Sequence, residues 1–580
     1  MSISQKSTKE VTHAVTEEVT ETLEQWQAVP ETAAALWTWV SQKHYAVVLG
    51  QAGESHAITM LNARFDWLEV EKQAQAYRRY AGKRGVPETH TVRRLCRGLV
   101  LKHYYNWSYQ TTAQEVCRQV LYRGFVGYNL NERTFSAVTL ERFEVWMREH
   151  HPALMFAVSL KQIDEDFPEE KTAPQIGDTF AMRSRAHEQS RTQLLRTLAL
   201  RIVTKLESLS AQMHQCIETT APREALFGAA TERPEWRQPK HERTDLEERT
   251  ARAAHQLLCA VRKELASAPR TQDVVRQALE RWLGYLDKVL GDEFVLTLNE
   301  QGVCTQATLR TQHEKGAYAI GSAIDPEATF RLHGERCDLG YNIGVHATTR
   351  FIRAIDGKTG ATPDSQLVAP ALAEQLKQLG TVPPKLIYDR AAGSPKTFAD
   401  VDKASGGKTQ LVARLIDHAK ANPYFGPQDC TLDEDGVLTC PAGRKTSRAY
   451  RAGSGDGWHY RFLASDCQGC PLIDKCRRNQ ETPKGNRSFF ISDYAYHQRK
   501  ALAYLKTEAF TQDMRLRPAI ERIIACLVRY HNARTADSYG VASADYQAHM
   551  SAMAFNLKTW VTLTREKRKA RRTCTPDDTG

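Results

Sequence analysis

Apolar residues recur at intervals of three and four over long stretches of the chain, the spacing that places them on one face of an α-helix. The clearest block lies between residues 187 and 292. Its first helix is predicted from six apolar positions: Leu194, Leu195, Leu198, Ile202, Leu206 and Leu209. A polar break follows at about residues 219–245, and the same spacing returns up to Leu290, where Gly291 suits a helix end. We therefore predict a helical insertion over residues 187–292.

Short apolar runs typical of buried strands lie on both sides of this insertion. They occupy residues 174–184, 318–324, 341–348, 350–355 and 385–388. A helical pattern separates the last two runs, and the final run ends at Asp389. An acid at the C-terminal edge of an apolar strand lies where open α/β sheets keep their ligand sites. The order of strand, meander, helix, strand and later helix predicts an α/β fold with a ribonuclease-H-like mixed sheet.

Residues 516–530 are predicted to form the helix that closes this layout. Its apolar face consists of Ile520, Ile523, Ile524 and Leu527. Glu521 follows Arg517 by four residues and precedes Arg529 by eight, so the three side chains can share one side of the helix. Two interpretations stay open at this point. Glu521 is either a surface acid paired with Arg517, or a metal ligand flanked by arginines that bind phosphate.

The N-terminal part is also predicted to be helical, and its character changes near residue 76. Residues 1–75 form an accessory helical region without recognisable chemistry. Basic residues then alternate with tyrosines; they are Arg78, Arg79, Lys83, Arg84, Arg93, Arg94, Arg97 and Lys102. Two predicted helices, at residues 111–120 and 132–147, flank a glycine-containing break at 123–127. This arrangement is typical of a helix-turn-helix, although an ordinary helical hairpin has the same pattern.

The basic run favours contact with phosphate, because lysine and arginine release counterions from DNA. We therefore predict a helical DNA-binding region over residues 76–165, with Arg93, Arg94 and Arg97 among its DNA contacts. A net charge of +11 over 580 residues permits a polyanionic partner without requiring one. No apolar run is long enough to span a membrane, and the first residues lack the apolar core of a signal peptide. These features predict a cytoplasmic protein.

Five of the thirteen cysteines lie within 47 residues, at Cys430, Cys440, Cys467, Cys470 and Cys476. Disulfides are not expected in a cytosolic protein, which leaves metal binding or plain burial. Four thiolates from turns make a closed structural zinc site, which can fold a segment too small to build its own core. We predict that Cys440, Cys467, Cys470 and Cys476 bind zinc, with Cys430 in reserve. The alternative is a reduced, metal-free cluster.

Three carboxylates stand where such a core needs them: Asp178 in the first strand, Asp389 after a later strand, and Glu521 on the closing helix. Phosphoryl transfer on DNA requires metal ions that clamp the attacking and leaving oxygens. Mg²⁺ and Mn²⁺ prefer a few carboxylates together with water and substrate phosphates. The three acids meet that requirement if the fold brings them together.

Several short motifs follow one another in an order that resembles bacterial insertion-sequence transposases of the DDE class. The motifs lie at residues 139–143, 323–328, 340–342, 362–364, 386–390, 517–521, 534–540 and 556–558. The resemblance covers about residues 90–190 and 300–565. It implies a catalytic triad of Asp178, Asp389 and Glu521, with Mg²⁺ or Mn²⁺, and a DNA-binding role for Arg517 and Arg529. Two positions depart from the family pattern, since Met514 replaces an expected tyrosine and Val528 an expected lysine.

The resemblance also implies the substrate and the reaction. The expected partners are double-stranded DNA, namely the element's terminal inverted repeats and the target, and a second copy of the chain in a homodimeric synaptic complex. The expected activity is strand cleavage at the element ends followed by strand transfer. Two alternatives are a nuclease that uses the same triad without strand transfer, and an inactive derivative that only binds DNA.

The predicted layout therefore has six parts. They are an accessory helical region (1–75), a DNA-binding region (76–165), a catalytic core (166–186, 293–424 and 491–564), a helical insertion (187–292), a small cysteine-rich insertion (425–490) and a basic tail (565–580). Six of the eight residues from Arg565 to Arg572 are lysine or arginine, so we expect the tail to be disordered and attracted to phosphate.

Overall fold

The computed structural model describes residues 32–82, 90–209, 223–229, 232–267, 273–311, 313–316, 318–333, 335–416, 424–433, 435–477 and 485–573. Several predictions concern residues outside these ranges: residues 1–31 of the accessory region, Lys83 and Arg84 of the basic run, and residues 574–580 of the tail. The chain divides into two compact units, residues 1–163 with 553–580, and residues 164–552.

The first unit is helical. Its helices from the N-terminus are α1 (Ala33–Ala52), α2 (Ala57–Arg64), α3 (Leu68–Gln73), α4 (Ala76–Gly82), α5 (Val92–Tyr105), α6 (Tyr109–Arg118), α7 (Val120–Val126), α8 (Ala137–His150) and α9 (Leu154–Asp166). Serine side chains cap two of them, since Ser108 accepts from the Thr111 amide and Ser136 from the Thr139 amide. Rings fill the interior, where Tyr77 packs edge-on against Phe143 at 4.9 Å. The predicted helical character of this region is therefore confirmed.

The predicted break between the two helices of this region is wrong in part. Residues 120–126 form α7, and the chain turns only at Gly127, whose φ of 96° is in the left-handed range. Gly124 does not break the helix; a Cβ there would lie 2.6 Å from the Tyr45 ring, so the glycine permits close packing. Three helices with a loop before α8 thus replace the predicted pair.

The prediction of a disordered basic tail is also wrong for the residues that the structure describes. The last helix continues from Val541 to Thr573 and takes in the whole basic run. Alternating arginine, lysine, glutamate and alanine are good helix formers, which extends the helix past the last apolar turn. Within the first unit, Arg565 donates to the Ser55 carbonyl at 2.7 Å and Arg568 to the Glu54 carbonyl at 3.0 Å.

The second unit contains a six-stranded mixed sheet. Its strands are β1 (Gln175–Arg183), β4 (Thr329–His333), β5 (Arg336–Ala347), β6 (Ile352–Thr359), β7 (Lys385–Ile387) and β8 (Gln410–Val412). The order is β4-β5-β1-β7-β8, and β6 also pairs with β5. β5 is antiparallel to both β1 and β6, whereas β7 and β8 run parallel to β1. The mixed sheet agrees with the predicted ribonuclease-H-like layout, but two details were wrong. Residues 318–324 do not form a strand, and β4 and β8 were not predicted.

Helices accompany the sheet. They are α14 (Ser365–Leu379), α15 (Pro395–Ser405), α17 (Ala495–Leu505), α18 (Glu508–Met514) and α19 (Pro518–Tyr530), and a short 3₁₀ turn covers Arg390–Ala392. Apolar residues of α14, α15, β7 and β8 share one core, which includes Val368, Leu386 and Val401. Ile520, Ile523 and Leu527 of α19 are buried, as the sequence pattern predicted.

Four helices and a hairpin lie in the described residues of the segment between β1 and β4. The helices are α10 (Arg191–Leu209), α11 (Arg223–Phe227), α12 (Lys240–Ser267) and α13 (Asp273–Glu293), and a 3₁₀ turn covers Glu235–Arg237. The hairpin β2 (Phe294–Leu298) and β3 (Cys304–Leu309) follows at once and was not predicted. Leucines of the helices and Phe294 of the hairpin share one buried cluster, so the hairpin completes the core of the helical segment.

The cysteine-rich segment is built from small sheets. Strands β9 (Thr431–Leu432), β10 (Leu438–Thr439) and β11 (Lys445–Thr446) form one, and β12 (Ala449–Arg451), β13 (Gly457–Phe462) and β14 (Arg487–Ser492) form another. A short helix, α16, covers Ile473–Cys476. Their shared core is only five buried residues: Leu438, Tyr460, Phe462, Phe489 and Ile491. Among all helices described, none combines the length and the apolarity needed to cross a bilayer.

Candidate functional site

Strand register sets Asp178 and Asp389 side by side. β1 pairs in parallel with β7, with Gln175 opposite Leu386 and Ile176 opposite Ile387. Each acid comes two residues after Ile176 or Ile387, so both leave neighbouring strands at the same level. Burial raises the pKa of Asp178, and the carboxylates of Asp389 and Asp364 raise it further. The structure therefore concentrates negative charge at this point of the sheet.

Arg517 reaches this charge from the start of α19. Its Nη2 lies 3.2 Å from Oδ2 of Asp178, and the two side chains are 20% and 25% exposed. The other Asp178 oxygen accepts the Thr179 amide at 2.8 Å. Within the described residues, Nε of Arg517 is buried and has no hydrogen-bond partner. The guanidinium thus keeps one donor unused beside the acids.

Asp389 has a fixed orientation because it caps the 3₁₀ turn that follows β7. Its Oδ1 accepts the Ala391 amide at 2.9 Å. The backbone geometry of this turn therefore holds the second acid beside β1.

Glu521 lies in the first turn of α19 and is exposed. It is one helical turn from Arg517, on the same side of the helix. In the described part of the chain, no three His, Cys, Asp or Glu side chains are already grouped closely enough to hold a metal ion. The structure thus brings Asp178, Asp389 and Arg517 together, while the approach of Glu521 to the two aspartates remains a prediction.

A glycine and a buried pair of rings support the acids from the other face of the sheet. A Cβ at position 177 would lie 1.8 Å from Cε2 of Tyr388, so only glycine fits there. The hydroxyl of Tyr388 is 2.9 Å from Nε2 of His346, which is fully buried. Burial lowers the pKa of His346 to about 3, so this ring is neutral. The glycine directly before Asp178 is therefore required by packing against Tyr388.

Asp325, the other acid next to a predicted strand, has a structural role. It is 1% exposed and accepts hydrogen bonds from Ser184 and Tyr341 and from the Gly540 amide. Ser184 lies six residues beyond Asp178, or roughly 20 Å along an extended strand. Asp325 therefore ties the far end of β1 to the start of the last helix.

The sequence did not single out two charged residues near the acids. Asp364, at the start of α14, accepts from Asn342 at 2.7 Å and lies 3.6 Å from Nη2 of Arg331. Arg331 also donates to the hydroxyl of Thr179 at 2.8 Å. Asp364 stands in a motif that carried the family resemblance, but its residue type alone indicated no role. No pattern in one sequence identifies Arg331.

The three arginines predicted to contact DNA from the first unit are engaged in protein contacts. Arg94 makes a two-point ion pair with Glu132, at 2.9 and 3.3 Å. Arg97 is largely buried and donates to the Phe125 carbonyl at 2.6 Å, and burial lowers its pKa. Arg93 is 44% exposed and pairs with Glu71. Arg529, near the end of α19, is exposed.

The four predicted zinc ligands line one small cavity of about 30 Å³. Cys440 follows β10, Cys467 and Cys470 stand in a turn, and Cys476 ends α16. Cys430 lies close to the group, since burial and the neighbouring Cys440 thiol raise its pKa to about 12. The structure thus brings together the five cysteines, although their sulfurs are not at metal-binding spacing.

Two family models match this chain. Residues 439–561 match a model described as a transposase DDE domain, and residues 49–145 match one described as Transposase domain (DUF772). No curated protein and no solved structure gives a significant match. The first match includes Arg517 and Glu521, and the second includes Arg93, Arg94 and Arg97. Two transposase models matched by separate parts of one chain support its place among the insertion-sequence transposases of the DDE class, as the resemblance implied.

Proposed function

We propose that this protein cleaves DNA strands at the ends of its element and joins them to target DNA in a metal-dependent reaction. The main support is the parallel register of β1 and β7, which places Asp178 and Asp389 next to each other on adjacent strands. Arg517, at the start of the helix that carries Glu521, contacts Asp178. The transposase matches support the reaction class.

The donors suit Mg²⁺ or Mn²⁺. Asp178, Asp389 and Glu521 offer hard carboxylate oxygens. Burial raises the pKa of Asp178, the neighbouring carboxylates raise it further, and a divalent cation would offset both effects. When bound, such ions activate the attacking oxygen and neutralise charge at the scissile phosphate. Asp178 and Asp389 are already oriented by their backbone hydrogen bonds, so Glu521 is the ligand that closes the set.

Arg517 is proposed to bind the phosphate. Without DNA it pairs with Asp178, and a guanidinium beside the proposed metal ligands is placed to exchange that carboxylate for another acceptor. A phosphate oxygen is the natural acceptor, because guanidinium and phosphate form strong charge-assisted hydrogen bonds. Arg529, eight residues after Glu521, is proposed as a further phosphate contact.

Glu521→Gln tests the catalytic part of the proposal. It keeps the side-chain shape but removes the charge that a metal ligand needs. We expect duplex binding to stay nearly unchanged and cleavage with Mg²⁺ or Mn²⁺ to fall below detection on DNA carrying the element's own end. Glu508→Gln is the matched control, because Glu508 is an exposed glutamate in the first turn of the neighbouring α18.

Cleavage by Glu521→Gln at the rate of the parent would make this carboxylate a surface acid. Measuring strand joining in the same assay separates the alternatives. Cleavage without joining would indicate a nuclease, and duplex binding without cleavage by the parent would indicate an inactive derivative.

A structural zinc ion is proposed for the cysteine-rich segment. The support is the single cavity lined by Cys440, Cys467, Cys470 and Cys476, next to a core of only five buried residues. Zinc requires the sulfurs to draw together to about 2.3 Å from the metal. We expect about one zinc per chain by elemental analysis, lost in Cys467→Ser and kept in Cys337→Ser, an exposed cysteine outside the segment. Protein purified without chelator and free of zinc would refute this.

The proposed partners are double-stranded DNA at the element ends and target, and a second copy of the chain. The exposed basic residues of the first unit, such as Arg93, and those of the last helix are proposed to contribute to duplex binding. Affinity should fall steeply between low and physiological salt. Light scattering of the protein on its end duplex should give the mass of two chains, and the mass of one chain would contradict the homodimer.

A further inference from the structure

A row of aromatic rings crosses the three-stranded sheet β12–β13–β14. Tyr450 pairs directly with His459, and His459 with Phe490. The Tyr450 and His459 centroids are 5.2 Å apart with the rings 22° from parallel, and the His459 and Phe490 centroids are 5.3 Å apart. Tyr450 is 47% exposed and Phe490 36% exposed. The row is therefore an aromatic surface open to solvent.

This row does not serve the core of the segment. Side chains alternate between the two faces of a strand, and the opposite face carries the buried Tyr460, Phe462 and Phe489 that pack near the cysteines. Three rings in line on the outer face leave apolar area exposed, which in soluble proteins marks binding sites. The outer face is also cationic, since the Arg461 guanidinium lies 5.5 Å from the centroid of Tyr450.

A cavity of about 500 Å³ adjoins this surface, and Phe490 forms part of one wall. Ser394 and the first two residues of α15 form another, five to seven residues after Asp389 in the sequence. Exposed Lys396 and Arg499 lie on its rim together with one acid, Asp456.

A glycine next to Phe490 makes room for its ring. A Cβ at position 457 would lie 2.5 Å from the Phe490 ring, so Gly457 lets that ring lie over the neighbouring strand. The position of the Phe490 ring therefore depends on Gly457.

We propose that the row of Tyr450, His459 and Phe490, with the adjoining cavity, binds unpaired nucleotides of the DNA substrate. Aromatic faces stack on bases regardless of sequence, and lysine or arginine beside them neutralises the phosphates. The bases of a duplex are stacked on one another, so a ring row selects the unpaired state. The proposal rests on the proposed function in one respect, namely that the substrate is DNA.

The test is fluorescence anisotropy of a labelled oligothymidine with the full-length protein, without divalent metal. Tyr450→Ala and Phe490→Leu should each weaken binding between about 5- and 150-fold, the range for loss of one base–aromatic stack. Duplex affinity should not change. Arg461→Ala should also weaken oligothymidine binding, because it removes a positive charge and keeps the three rings. Melting followed by circular dichroism checks that each variant is folded.

Trp236→Ala is the matched control. Trp236 is 75% exposed and has the Arg237 guanidinium 4.4 Å from its ring, but it lies in the helical segment. The proposal would be overturned if Tyr450→Ala and Phe490→Leu bound oligothymidine as tightly as the parent. It would also be overturned if Trp236→Ala lost as much oligothymidine affinity as the ring variants, or if the ring variants lost as much affinity for the duplex as for oligothymidine.

The two proposals fail separately. Glu521→Gln should bind oligothymidine like the parent, because this assay needs no metal. A parent that binds through the rings but never cleaves contradicts only the proposed function. A parent that cleaves and joins while ring substitutions leave oligothymidine binding unchanged contradicts only the ring proposal.

Discussion

Two groups of arginines in this protein stand in contrast. Arg94 and Arg97 belong to a basic run of the sequence, yet both bind acceptors within the helical unit. Arg94 forms an ion pair with Glu132, and its guanidinium also lies 4.4 Å from the centroid of the Tyr128 ring. Arg97 donates to the Phe125 carbonyl. Arg517 stands in no basic run, yet its guanidinium contacts the catalytic candidate Asp178.

Local charge density therefore does not indicate whether an arginine is committed to contacts within the protein. Arg94 and Arg97 bind acceptors of the helical unit, whereas topology places Arg517 beside carboxylates that are proposed to hold metal ions, where a phosphate can compete for its guanidinium.

The largest expected effect is that of Arg517→Ala on cleavage. Loss of a guanidinium that stabilises charge at the reacting phosphate should lower the cleavage rate by about 100-fold. End binding should weaken as well, since the same contact acts in the ground state. Single-turnover cleavage and anisotropy on one duplex measure both quantities. Arg94→Ala is the comparison, and it should cleave at the parental rate once folded protein is counted.

An equal loss of cleavage in the two variants would remove the distinction between the two groups. A parental rate in Arg517→Ala would make its contact with Asp178 a structural ion pair only.

The sequence predicted the acids better than it predicted their surroundings, for a physical reason. Asp178 and Asp389 end or interrupt apolar strands, and parallel pairing of β1 with β7 follows from the element order. Arg331 and Asp364 meet them through cross-strand register and helix packing, which no local pattern encodes. The hairpin β2–β3 was missed because residues 294–309 pair with each other and bury only Phe294, Cys304 and Ala307.

The protein contacts of the basic run were also not predicted from the sequence. Arg97 lies on a helix whose buried face includes Leu95 and Leu99, and side-chain spacing alone does not reveal that Phe125 offers it a carbonyl. The closing helix was predicted correctly because its apolar face is regular and Pro518 marks its start.

Gly177→Ala should have the next largest effect. The added Cβ would overlap the Tyr388 ring, and such overpacking costs about 1–3 kcal/mol. We expect a lower melting temperature and slower cleavage, because Tyr388 directly precedes Asp389. Gly284→Ala is the control: this glycine lies in α13 with nothing within 4 Å of an added Cβ, so the substitution should preserve or raise stability.

An unchanged melting temperature in Gly177→Ala would show that the strand and the ring move apart freely. The position of the acids would then not depend on this packing.

Arg97→Ala should act on stability and leave DNA binding alone. It leaves the Phe125 carbonyl without its donor, at a cost of about 1–3 kcal/mol in the free energy of unfolding. Denaturant unfolding measures this cost, and anisotropy below the transition measures duplex affinity. A large loss of affinity with unchanged stability would place Arg97 at the DNA and reverse the comparison.

The smallest expected effect is that of Arg93→Ala, the one predicted DNA contact of this trio whose side chain is well exposed. Its ion pair with Glu71 is solvated, so removing it should change the free energy of unfolding by less than about 1 kcal/mol. If Arg93 exchanges Glu71 for a phosphate, duplex affinity should fall a few-fold, and the slope of log Kobs against log salt should decrease in magnitude by about one. Titrations of the parent and the variant at several salt concentrations measure that slope. An unchanged slope would mean that Arg93, like Arg94 and Arg97, belongs to the protein rather than to the DNA interface.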